Sequence, residues 1–140
     1  MNRKAFCLCM LAGLGLSIGC GSSDGPRTVN ASGTLTLDGT PVKDAQVIFV
    51  VTSGVPAYGT TDANGKFTMM VSEENKGAVP GTYPVIVSKT LMDDLGGGNV
   101  KLEQGLPAIY GDPAKSGITV TVPDSGTDSI KIELVSKGKK

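Results

Sequence analysis

From Ala31 onward the chain repeats one pattern, a short stretch rich in Val, Ile, Thr and Tyr followed by a turn signal of Gly, Pro, Asp or Asn. Stretches this short, with apolar and polar residues alternating, suit strands, whose side chains point to opposite faces in turn. Of the chain's 20 glycines and 8 prolines, 15 and 7 fall in this region, and no convincing helix is visible. The predicted strands are Ser32 to Leu37, Ala45 to Val51, Tyr58 to Thr61, Lys66 to Val71, Thr82 to Ser88, Ile118 to Val122 and Ser129 to Val135, seven in all. Asp38-Gly39 is a strong hairpin signal, and Asp62-Ala63-Asn64-Gly65 reads as a second tight turn in which Gly65 supplies a positive φ. The near-continuous apolar run Ala45 to Val51 predicts a central strand buried on more than one side. Two antiparallel sheets packed as a sandwich bury these faces together.

The first residues follow another logic. Asn2, Arg3 and Lys4 precede the uncharged apolar run Ala5 to Ile18, the layout of an export signal, and its 14 residues are too few for a membrane-spanning helix. Leu16, Ser17, Ile18 and Gly19 then lead directly into Cys20. This resembles the lipobox of bacterial lipoproteins, although Ser17 stands where Leu is commonest. The resemblance implies cleavage between Gly19 and Cys20 and acylation of the Cys20 thiol. The competing reading is an ordinary cysteine beside a conventional cleavage point. Cys7 and Cys9 would leave with residues 1–19, so no disulfide forms within the remaining 121 residues and the fold rests on its apolar core. Two or three acyl chains, at about 0.8 kcal/mol per buried methylene, would make attachment effectively permanent. Residues 20–30, small and polar after the lipidated cysteine, read as a flexible tether. Residues 31–135 form the sandwich domain, and 136–140 a basic tail.

Charge and composition exclude several chemistries. Without Arg3 and Lys4, 11 basic residues face 13 acidic ones, and there is no basic patch with aromatics to attract nucleic acid. Lys137, Lys139 and Lys140 read as a frayed end. There is no histidine, which removes the usual general base and commonest metal ligand, and no cysteine remains in the folded part for a thiolate zinc site. Asp62, Asn64 and Gly65 imitate the start of a calcium loop, but its remaining ligands are missing, so the turn reading prevails. The pairs Asp93-Asp94 and Glu73-Glu74 fall in predicted connections, where solvated charge is the default. Gly96, Gly97, Gly98 and Asn99 lack the strand before and the lysine-bearing helix after that a phosphate loop needs. No metal, cofactor or catalytic set is expected.

Gly33 to Val42, Ala45, Val47 and the run Thr61 to Phe67 resemble the opening of carboxypeptidase-regulatory-like domains, the transthyretin-like or prealbumin-like sandwiches. Pro107 to Val120 is similar to the end of small bacterial lipoproteins built on that domain. The resemblance implies an all-β, antiparallel, seven-stranded transthyretin-like sandwich and a non-catalytic accessory or adhesion module. The histidines and the C-terminal Tyr-Arg-Gly-Ser pattern of the transthyretin-like enzymes are missing.

Thr90 to Pro107 is the longest predicted connection. Its Leu91, Met92, Asp93, Asp94 and Leu95, with Tyr110 beyond it, are the candidate recognition residues. A protective loop folded over a sheet edge is the alternative, as core packing is for Tyr110. The expectation is a monomeric, non-enzymatic interaction module, lipid-anchored in the cell envelope, facing the periplasm or the cell surface, with the outer membrane preferred. Its partners would be the membrane and an envelope protein or polysaccharide, and a carbohydrate- or small-ligand-binding accessory domain is the alternative.

Overall fold

The computed structural model describes residues 26–98 and 100–137, with only the backbone for Asp93, Asp94 and Val100. Gly19, Cys20, the first part of the tether, Asn99, Lys139 and Lys140 lie outside the described residues. The described chain is all-β, with ten strands and one short 3₁₀ turn, Ala108–Gly111. The strands are β1 (Ala31–Leu37), β2 (Thr40–Pro41), β3 (Gln46–Phe49), β4 (Ala57–Thr60), β5 (Lys66–Thr68), β6 (Gly81–Ser88), β7 (Thr90–Asp94), β8 (Val100–Gln104), β9 (Thr119–Val122) and β10 (Thr127–Leu134). Each of the seven expected stretches contains a strand. The three additional strands are β2, which follows the Asp38-Gly39 turn, and β7 and β8, which occupy the expected long loop.

One sheet is built around β1, with β10 on one edge and β2 and β5 sharing the other. The second runs β4-β3-β6-β9 and is antiparallel throughout. A wholly antiparallel arrangement does not hold for the first sheet: β1 and β10 pair in parallel, Gly33 with Ile130 through Leu37 with Leu134. Hairpin turns join neighbours only in opposite directions, and these two strands are the first and last, free of any short connection.

Side-chain alternation builds the core as expected. Leu35, Ile130, Ile132 and Leu134 of one sheet meet Val47, Phe49, Val85, Val87 and Val122 of the other in one apolar cluster. In β3 the burial alternates, with Val47 and Phe49 inside and Gln46 outside, so this run is covered on one face rather than two. Ile48 lies half-buried on the outer face, between Tyr58 and Ile86 in register. The sheets are joined along one side where Tyr58 and Met70 exchange backbone hydrogen bonds of 2.9 and 2.8 Å.

Turn chemistry sets the registers. Asp38 and Gly39 have φ of 50° and 84°, the left-handed pair that a two-residue loop between β1 and β2 requires. The Oδ1 of Asp62 accepts from the N–H of Asn64 and of Lys66 at 2.8 and 2.9 Å, and Gly65 takes φ 71°.

The sandwich has two distinct ends. Pro26, where the described chain begins, meets the loop Val50–Val55 and the start of β6 at one of them. β1 and β6 run away from that end. At the other, Leu37 and Asp38 approach Lys89, Gly105 and Leu106, the root of the β7–β8 hairpin. At roughly 3.3 Å per residue, the eight residues of β6 separate the two ends by about 26 Å.

Candidate functional site

The segment 90–107 is an ordered hairpin. β7 and β8 pair from Thr90 with Gln104 to Asp94 with Val100, and the backbone bond from Gly105 N–H to the Lys89 carbonyl, 2.8 Å, extends the ladder to the root. The alternation of leucine and methionine with charged residues is what lets it form. Met92 and Leu102 stand directly opposite each other on one face, while Leu91, Glu103, Asp93 and Lys101 occupy positions of the other. Leu106 anchors the root in the core. Glycines in left-handed conformation, Gly96, Gly97 and Gly98, turn the tip.

The hairpin stands off the sandwich, and its apolar side chains face solvent: Met92 is 74% exposed, Leu95 at the tip 66% and Leu102 63%. An isolated two-stranded hairpin is marginal in water, so an apolar face left uncovered on one is a surface suited to docking. Lys101 and Glu103 pair on the other face, an exposed contact that adds little stability.

Tyr110 does not join this surface. It is 6% exposed, packed in the core, and its hydroxyl donates to the Val135 carbonyl at 3.1 Å while accepting from the Val135 N–H at 2.9 Å. Its assignment as a recognition residue is therefore corrected: the 3₁₀ turn directs the ring inward, and the phenol closes the end of β10. Leu91, Met92 and Leu95 remain together on the hairpin. Asp93 and Asp94 sit at register positions opposite Lys101 and Val100.

Among the described residues two carboxylates have perturbed titration, and both belong to turns. Hydrogen bonds from the side chain and backbone of Ser136 hold Asp38 below the usual carboxylate range. Asp112 is lowered chiefly by the Ala114 N–H, with Lys115 assisting. Among the described residues no three acidic side chains gather as a metal site would need.

A second surface lies at the opposite end of the sandwich. A groove of about 580 Å³ opens at the Pro26 end between Val50, Val51, Val55, Val79, Tyr83 and Pro84. At its floor the Tyr83 ring stacks on Phe49 with centroids 5.7 Å apart. Its hydroxyl is already engaged, donating to the Val79 carbonyl at 2.8 Å. The only sequence signal for this groove is the apolar character of Val50, Val51 and Val55 around a Gly54 turn, which by itself resembles a strand end.

Comparison of the chain with protein-family models, with curated proteins and with solved structures found no match.

Proposed function

We propose that this chain is an exported lipoprotein, acylated at Cys20, whose transthyretin-like sandwich serves as a non-catalytic interaction module at the cell envelope and presents the β7–β8 hairpin to its partner. The observation that carries the reading is the polarity of the domain. Pro26, six residues after Cys20 in sequence, lies at one end, and the hairpin with its exposed Met92, Leu95 and Leu102 lies at the other. A tether at one end and an uncovered apolar surface at the other suit a body that holds its contact face away from the membrane. The Gly33 to Val47 and Thr61 to Phe67 runs support the family assignment, and the outer membrane is the preferred site of anchoring.

Cross-linking in intact cells tests the reading. A defined envelope adduct recovered with the wild type and lost with Met92→Ser plus Leu102→Ser is the expected result. Recovery no greater than that of a tether-only control would sink it.

A carbohydrate-binding role is the second reading, favoured by the row Tyr58, Ile48 and Ile86 on the outer face of the second sheet. Tyr58 offers an accessible ring there, which Tyr110 does not. Saturable glycan binding abolished by Tyr58→Ala would move the assignment to this class.

A further inference from the structure

We propose that the groove at the Pro26 end is a receptor for a linear acyl chain, and that its occupant is one of the chains carried by Cys20 of the same molecule. The proposal rests on the reading of Cys20 as acylated and adds to it a seat on the domain.

The lining selects the ligand class. Among the described residues, no charged side chain lines the groove. The Tyr83 hydroxyl is occupied by the Val79 carbonyl, and the Pro84 carbonyl accepts from the Val50 N–H at 2.9 Å. An ionised ligand would meet no opposite charge among these residues to offset its lost hydration, whereas a hydrocarbon needs none. At about 580 Å³ the groove falls within the usual size of small-ligand sites, roughly 300–1,000 Å³. Thr52 and Ser53 also line it and offer polar groups to the ester end of an acyl chain, while the Thr82 hydroxyl is paired with that of Thr121 at 3.0 Å.

Chain connectivity selects the occupant. Pro26 is both the start of the described structure and part of the groove wall. Cys20 lies six residues before it. A Gly/Ser-rich link of that length has an r.m.s. span of about 13 Å and a limit of roughly 20 Å, so the lipid of Cys20 cannot stray far from the groove. Such tethering corresponds to a millimolar effective concentration, which favours the molecule's own chain over any lipid that must diffuse in. Seating one chain in the groove while the others remain in the bilayer draws the base of the sandwich onto the membrane and fixes the hairpin outward.

Photo-cross-linking of the full-length lipoprotein in its own membrane tests this. p-Benzoylphenylalanine is introduced at Val55, which is 49% exposed on the groove loop, at Ser53 on the same loop, and at Ser125 as a control outside the groove. Peptide mass spectrometry reads which molecule each probe captures. The expected result is an intramolecular adduct between the probe peptide and the acyl chain on the Cys20 peptide, several-fold stronger from Val55 and Ser53 than from Ser125. Adducts with phospholipid alone, equal labelling from Ser125, or no lipid adduct on a chain whose Cys20 peptide is acylated would overturn the groove as the seat. A Cys20 peptide without acyl mass would instead overturn the anchor, and the seat with it.

Discussion

The hydroxyl of Tyr110 bridges both backbone groups of Val135, donating to its carbonyl and accepting from its N–H. The 3₁₀ turn and the last strand, 25 residues apart in sequence, are thus held by one side chain. Tyr110→Phe keeps the packing and removes both bonds. The expected cost is about 1–3 kcal/mol, read as a lowered denaturation midpoint with an unchanged m-value.

Gly33 of β1 pairs with Ile130 of β10, beside an irregularity in the ladder. A methyl group added there would approach the Ile130 carbonyl oxygen to 2.1 Å, and that oxygen is fixed by the parallel ladder. Gly33→Ala should cost about 2–3 kcal/mol and lower Tm by roughly 10 °C. Gly111→Ala, whose methyl would enter open space, should leave Tm little changed.

Acid sensitivity follows from Asp38. Its folded-state pKa is depressed below the unfolded value by the Ser136 hydrogen bonds, so its contribution is complete above the unfolded value, about 3.9, and disappears as pH falls through the folded one. Asp38→Asn tolerates the left-handed turn and loses the charge. The Tm gap between wild type and this variant should be constant at neutral pH and close on acidification below about pH 4, as thermal melts across pH will show.

The exposed hairpin residues should matter little to folding. Met92→Ser with Leu102→Ser changes side chains that face water, so stability should stay within about 0.5 kcal/mol of wild type in chemical denaturation. Loss of cross-linking without loss of stability separates a contact surface from a structural one.

The strands were legible because each carries its own period of two, and the Asp38-Gly39 and Asp62-to-Gly65 turns because their residues have backbone preferences of their own. The pairing of β1 with β10 was not, since nothing local in Gly33 or Ile130 specifies a partner so distant. The hairpin is hard to read for another reason: Thr90 to Asp94 and Val100 to Gln104 mix leucines with charges, a pattern that suits a two-sided exposed ribbon as well as it suits a loop. Tyr110 shows the limit for single residues. An aromatic between prolines is open to both a surface and a core reading, and the inward course of the turn that carries it decides for the core. The groove was the least legible element, because its walls come from three separated stretches, Pro26, Val50 to Val55 and Val79 to Pro84.

The neighbouring of first and last strands governs the order of assembly. While the chain emerges N-terminus first from a ribosome, β1 has β2 and β5 along one edge but keeps the other bare until Thr127–Leu134 has appeared. Closure of that edge is a late and slow event, since it joins segments nearly a whole domain apart. A chain cut short by even its final strand would present an unsatisfied ribbon of backbone donors and acceptors to every similar molecule nearby.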